Sequence, residues 1–297
     1  MGGTQTKEAD ESVVLITGCS DGGIGSALAK EFAAAGCQVV ATARSLSSMA
    51  ELSVYPNVQP KELDVTDFDM VKAVVQSVEQ ENGRIDILVN NAGMPCVAPV
   101  AELPLPTLEK SFKTNVFGPV ALIQAVFPGM AARGKGKIVT IGSINSYSYG
   151  PWAGGYVSSK AAIEALTDAL RMELKPFGLQ VMLVLPGAIT SNFGKNSQTM
   201  TTSSVIEGLQ WYRSWKAVLY KRGGFSQGSH STSSQELAQK TVEKALSRKL
   251  PPHFAYGRFS SIFTLLHYLP LWITDMFYCK LFDLNRKAAI EDTRKHE

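Results

Sequence analysis

The stretch SVVLITGCSDGGIGSALAKEFAAAG, residues 12–36, decides how the chain is read. Residues 12–17 form a short apolar run rich in β-branched side chains, the composition of a strand buried on both faces. Gly18-Cys19-Ser20-Asp21-Gly22-Gly23-Ile24-Gly25 follows, and Ile24, Leu28, Phe32 and Ala35 then recur at helical spacing. Strand, glycine-rich turn and helix bring backbone N–H groups and a helix N-terminus to one point, an arrangement suited to the phosphates of a dinucleotide. Glycines serve there because a side chain would block the phosphate or the contact between helix and strand. A flexible connector has a similar composition; the strand before and the helix after favour nucleotide binding.

The alternation continues along the chain. Short runs rich in Val, Ile or Leu predict strands at 12–17, 37–42, 58–63, 85–90, 136–142 and 179–185. Between them, Met70, Val71, Val74, Val75 and Val78 mark one helical stripe, and Ile163, Leu166, Leu170 and Leu174 another. Such alternation predicts an α/β, Rossmann-type, doubly wound parallel sheet with helices on both faces and a ligand at the carboxyl ends of the strands. The expected division is a polar tail over residues 1–11, one dinucleotide-binding catalytic domain over 12–257, and an apolar extension over 258–297.

Composition narrows the class. At 297 residues, 45% hydrophobic and 19% charged, the chain has ample material for one large core. A net charge of +3 with no basic cluster argues against a nucleic-acid partner. The opening MGGTQTKEADES has no apolar h-region, so no secretory signal is expected. Cys19, Cys37, Cys96 and Cys279 lack metal-ligand spacing, so no metal is expected and reduced thiols facing the cytosol are the simplest reading.

Chemistry is suggested by GGYVSSKAAIEAL, in which Tyr156 and Lys160 stand four apart and share one helix face. A free tyrosine has a pKa of about 10, and a neighbouring cation favours its phenolate, so the lysine is expected to lower it. Ser143, thirteen residues before the tyrosine, offers a second hydroxyl to the same substrate oxygen. The three suit carbonyl reduction or alcohol oxidation.

Thr17-Gly18 with Gly23-Ile24-Gly25, Asn90-Asn91-Ala92-Gly93, Ser143, Tyr156-x-x-x-Lys160 and Pro186-Gly187 together resemble the short-chain dehydrogenase/reductase family, from about residue 12 to residue 190. The glycine turn is one residue longer than the common form; Gly22 is taken as the insertion. The resemblance implies an NADP(H)- or NAD-dependent enzyme and a homo-oligomer. It assigns catalysis to Asn115, Ser143, Tyr156 and Lys160, with Asn115 holding a water in the proton relay. It gives cofactor binding to Gly18, Gly23, Ile24, Gly25, Asp64, Val65, Asn91, Ala92, Gly93, Pro186, Gly187, Ile189 and Thr190, with Tyr156 and Lys160 shared between the two. Asp64 would meet the adenine, although an N-cap for a helix starting near Phe68 is the plainer reading. After the second strand the chain has Arg44 and no carboxylate, which favours NADP(H) over NAD, unless Asp21 faces the same pocket.

Two segments stand outside the motif set. Residues 191–235, rich in Ser, Thr and Gly around VIEGLQWYRSWKAVLY, read as a packed helix or as a lid, and the resemblance places the substrate cap there. An aromatic lid suggests a hydrophobic small-molecule substrate. FSSIFTLLHYLPLWITDMFYC, residues 259–279, is interrupted by Pro270 and Asp275, so a plain membrane span is not expected. It reads equally as a pocket or subunit cover and as a peripheral anchor. The ITGCSDGGIG, LKPFG and FAYGRFS stretches resemble the branch that reduces 1-acyldihydroxyacetone phosphate, which implies lipid metabolism at the cytoplasmic face of the endoplasmic reticulum or a lipid droplet. Lys195, Arg213 and Lys216 would then be available to the phosphate. A steroid, terpenoid or other specialised metabolite is the alternative substrate, and a non-catalytic NADP-binding sensor the remote one.

Overall fold

A computed structural model describes residues 11–194, 204–228 and 230–285. Most of the expected polar tail, residues 195–203 and 229 of the proposed lid, Lys195 among them, and residues 286–297 of the expected extension lie outside the described residues. Six strands fall within one or two residues of their predicted places: β1 (Val13–Thr17), β2 (Gln38–Ala43), β3 (Val58–Glu62), β4 (Ile87–Asn90), β5 (Gly136–Ile141) and β6 (Leu179–Pro186). A seventh, His253–Tyr256, pairs in parallel beside β6, with Leu183 opposite His253 and Pro186 opposite Tyr256. The order is β3-β2-β1-β4-β5-β6 and then this edge strand, parallel throughout.

Period-two geometry sends alternate side chains to opposite faces of the sheet. Val14, Ile16, Ile87 and Val89 meet α1 (Ile24–Ala34) and the helix Ser234–Leu246 through Leu28, Phe32, Leu237 and Val242. Val13, Leu15 and Leu88 meet α2 (Phe68–Asn82) and α4 (Gly118–Arg133) through Val75, Val78, Leu122 and Val126. A sheet covered on both faces needs apolar residues at every position, and β1 is buried along its whole length. The chain reverses direction across the sheet between β1 and β4, which opens a crevice at their carboxyl ends.

The described part of the C-terminal extension holds two short helices, Ser260–His267 and Leu271–Leu281, parted at Pro270. Phe263, Leu266, Tyr278 and Phe282 are buried, whereas Tyr268, Leu271, Trp272 and Met276 are 77%, 73%, 66% and 61% exposed. The segment therefore has an inner face committed to the domain and an apolar outer face.

Candidate active site

The glycine turn is fixed by its approach to the end of β4. Gly18 has φ +72°, and a Cβ there would lie 2.8 Å from the Ala92 Cα. A Cβ on Gly25 would lie 2.4 Å from the Gly18 carbonyl oxygen. The Asn91 amide nitrogen donates to the carbonyls of Thr17 at 2.7 Å and Gly18 at 3.0 Å. The Thr17 hydroxyl accepts from the backbone N–H groups of Asn91 and Ala92. Asn91 is thus a strut beneath the turn, and Gly25 supports the turn from behind.

The extra glycine has a partner of its own. Gly22 (φ +69°) accepts from the Asn192 N–H at 3.1 Å, and the Asn192 side-chain amide donates to the Asp21 carbonyl. Asp21 turns its carboxylate toward the N–H of Glu51 at 3.3 Å and stays out of the cleft. That removes the repulsion toward a phosphate that its sequence position allowed.

A cleft of about 570 Å³ runs from this turn to the helix α5 (Gly154–Glu173). Gly18, Gly23, Ile24, Arg44, Asp64 and Val65 line one end. Asn91, Ala92, Gly93, Pro186, Gly187 and Ile189 line its middle. Ser143, Tyr156 and Lys160 stand at the other end. The residues present fit a dinucleotide: α1 begins at Gly23 with no side-chain cap, and no Cβ at Gly18 or Gly25 could be accommodated. Asp64 accepts from the Thr66 N–H and hydroxyl, both at 2.8 Å. Burial works against its charge, but those bonds together with Arg44 and Lys113 hold its carboxyl below the usual range. The N-cap of α2 is Asp67, bonded to the N–H groups of Asp69 and Met70, so Asp64 is free of that role.

Three expected site residues do not line the cleft. Gly25 is buried behind the turn, against the Gly18 carbonyl and the Asn91 side chain. Thr190 is exposed on a two-residue strand paired with Thr232–Ser233. Asn115 is buried in a π-helical turn, Lys113–Phe117, which lets a helical asparagine turn inward. Its carbonyl accepts from the Met94 N–H at 2.7 Å, and its amide donates to the Met94 carbonyl at 2.9 Å and to the Ser159 hydroxyl at 2.9 Å. The side chain couples α5 to the loop after β4, a positioning task.

At the chemical end, Ser143 follows β5, capping the short turn Ile144–Tyr147, and is 6% exposed. Tyr156 bonds to it, and the Lys160 Nζ lies 6.0 Å from the tyrosine ring centre while donating to the Ile141 carbonyl at 2.8 Å. Burial raises the Tyr156 pKa above the ordinary phenol value; the Ser143 bond and the Arg222 charge oppose the rise without reversing it. Burial also depresses Lys160 to about 8. The expected lowering of the tyrosine by its lysine is therefore not found: desolvation wins for both groups. A neutral buried phenol is in the form that donates a proton.

The far wall comes from segments with no motif. Phe193 stands 5.8 Å from the Tyr156 ring, and Arg222, Phe225, Ser226 and Phe263 complete this end. Arg213 donates to the Leu209 carbonyl, and Lys216 pairs with Glu207 at 2.9 Å; neither lines the cleft. Trp152, at φ +68°, holds a left-handed conformation costing on the order of 1 kcal/mol and packs on Tyr212 and Trp215. It ties the start of α5 to the segment after residue 204.

Comparison with known proteins agrees with this layout. The chain is 40% identical over 214 residues to a protein of Schizosaccharomyces pombe named NADPH-dependent 1-acyldihydroxyacetone phosphate reductase, covering 71% of this chain and 72% of that one. It is 33% identical over 273 residues to a short-chain dehydrogenase of Penicillium ochrochloron, covering 92% and 98%. A solved short-chain dehydrogenase of Streptomyces avermitilis superposes with a TM-score of 0.77 at 29% identity, covering 94% of this chain and 99% of its own. The family model for short chain dehydrogenases matches residues 12–202, and the protein belongs to that family.

Proposed function

We propose that this protein is an NADP(H)-dependent oxidoreductase interconverting a ketone and a secondary alcohol on a hydrophobic substrate. The observation that carries the reading is one cleft with Ser143, Tyr156 and Lys160 at one end and Arg44, with no carboxylate after β2, at the other. The nicotinamide cofactor supplies a hydride for the carbonyl carbon. Ser143 and Tyr156 hold the substrate oxygen, and the Tyr156 hydroxyl gives it the proton. Lys160 faces the cofactor side of the tyrosine, and Asn115 fixes α5 against the Met94 loop so that this geometry is kept. Arg44 receives the extra phosphate of NADP(H), a charge-assisted contact.

1-Acyldihydroxyacetone phosphate is the favoured substrate, supported by the name of the S. pombe relative. The aromatic wall of Phe193, Phe225 and Phe263 favours an apolar steroid or terpenoid ketone as the second reading. The intact catalytic set speaks against a non-catalytic sensor. A screen of NADPH consumption over acylated dihydroxyacetone phosphates and apolar ketones tests the reading. Consumption with the acyl phosphate is expected; no consumption with any ketone, or a preference for NADH, sinks it.

The exposed Leu271, Trp272 and Met276 support peripheral contact with a membrane or lipid droplet on its cytoplasmic face. Serine at all three positions should abolish liposome flotation while turnover persists. Flotation unchanged by the triple substitution removes the anchor. Closure of residues 191–235 over the substrate belongs to the same reading, and hydrogen exchange that slows there on substrate addition is expected.

A further inference from the structure

Four cations line the cleft among the described residues: Arg44, Lys110, Lys160 and Arg222, against the single carboxylate of Asp64. Two have described partners: Arg44 acts on Asp64 at the adenosine end, and Lys160 bonds the Ile141 carbonyl. Lys110, on α3 (Leu105–Phe112), is exposed, so water solvates its charge. Arg222 is half-buried and has no such partner among the described residues. It stands on the helix Lys216–Gly223, and its guanidinium lies 5.7 Å from the Phe225 ring centre. Among the described residues it makes no ion pair, and the groups that feel its charge are the neutral phenols of Tyr156 and Tyr278. Burial pulls its pKa below the ordinary arginine value, so the charge is held there at a cost that no anion among the described residues offsets.

We infer that Arg222 is the anion-recognition residue of the substrate end, so that the molecule reduced at Tyr156 carries an acidic group, phosphate or carboxylate, near its reacting carbonyl. The chemistry favours this assignment. A guanidinium offers two parallel N–H donors to a phosphate or carboxylate, and a site partly shielded from water strengthens the pairing. The Phe225 ring stands beside it, and Phe259 and Phe263 follow with ring centres 5.4 and 6.2 Å apart in turn, Phe225 and Phe263 lining the cleft. An apolar wall ending in one unpaired cation fits an amphiphile with an acidic head. Sequence inspection pointed instead to Lys195, Arg213 and Lys216, because nothing local distinguishes a cleft-facing arginine from a solvated one.

The inference rests on the reductase reading, and the test separates the two. Two matched pairs are compared by NADPH consumption: 1-palmitoyl-dihydroxyacetone phosphate against its dephosphorylated form, and a long-chain keto acid against its methyl ester. The wild type should favour the charged member, and the pair showing the larger preference identifies phosphate or carboxylate. Arg222→Met, which keeps an apolar stem beside Phe225, should reduce that preference by about ten- to a hundredfold, chiefly through KM. Arg222→Lys should restore part of it. An unchanged preference in Arg222→Met overturns the inference. Equal loss on both members with a shifted pH profile makes Arg222 a tuner of Tyr156, and a matching loss of NADPH affinity gives it to the cofactor; either result also overturns it. Should Arg222→Met fail to fold, binding of dodecyl phosphate against dodecanol to the wild-type NADP⁺ complex decides: equal affinity refutes the assignment. If no ketone is reduced at all, the reductase reading fails, and the same binding comparison still rules on Arg222.

Discussion

The two ends of the cleft are built on different principles. The cofactor end stands on the carboxyl ends of adjoining strands, and its turn is gripped by short bonds from Asn91 and Thr17 that leave no space for a Cβ. The substrate end is assembled from the Lys216–Gly223 helix, the loop around Phe225 and the two C-terminal helices, whose apolar and aromatic side chains pack on one another. Backbone pinned by directional hydrogen bonds gives one geometry and one ligand. Side chains packed on side chains can be exchanged without disturbing the sheet, so specificity is free to change at that end alone.

The sharpest way to break this contrast is at the boundary between the ends. Tyr156→Phe removes the proton donor and should lower turnover by about a hundredfold or more, with NADPH affinity by fluorescence titration nearly unchanged. A large loss of affinity would mean that the two ends are not separable there. Lys160 gives the next effect. Its pKa is depressed to about 8 by burial, so between about 8 and 10.5 the unfolded chain binds the proton that the folded one has released. Stability of the ligand-free protein should therefore rise with pH across that window, by about 3 kcal/mol, and the penalty is fully present below it. Lys160→Met should flatten the rise in denaturant midpoints; an unaltered slope assigns it to another group.

Arg44→Ala addresses the cofactor end alone. NADPH affinity should fall about ten- to a hundredfold with little change for NADH. Equal losses would make Arg44 structural. The smallest effect is expected at the substrate end, from Glu102. Its carboxylate accepts from the N–H groups of Gln210, Trp211 and Tyr212 at 2.6, 2.8 and 3.1 Å, the only described side chain that gathers three consecutive amides of that segment. Glu102→Ala should cost about 1 kcal/mol locally, seen as faster hydrogen exchange at 210–212 with the sheet unaffected. Exchange that quickens in β1 or β4 as well would show that the two ends share one cooperative unit.

The same contrast explains what could be read from the residues. The strands β1 to β6 were legible because burial on both faces forces long apolar runs, and the glycine turn because close approach forces its composition. The edge strand His253–Tyr256 escaped: it has four residues, is half-buried, and has a neighbour on one side only. Its place is secured by side chains far away in sequence, His253 bonding both Asp168 at 2.8 Å and the Tyr147 hydroxyl at 2.9 Å. Asn115 was legible as unusual within a helix, but its partners at Met94 and Ser159 come from two other elements. Arg222 was not legible at all. A cation is ordinary in any surface helix, and only tertiary placement turns it toward Tyr156.

The Tyr278 hydroxyl bonds that of Ser148 across 130 positions of sequence, and its ring lies against Gly150. In a cell that separation is also an interval of time. At about 5–20 residues per second, synthesis takes on the order of ten seconds to pass from one partner to the other. During that interval the catalytic tyrosine already exists, and the first five strands precede it, but the loop beside it has no outer wall. The nascent enzyme thus passes through a stage in which a cofactor platform stands beside an unfinished substrate chamber, its aromatic lining open to whatever apolar surface is nearby.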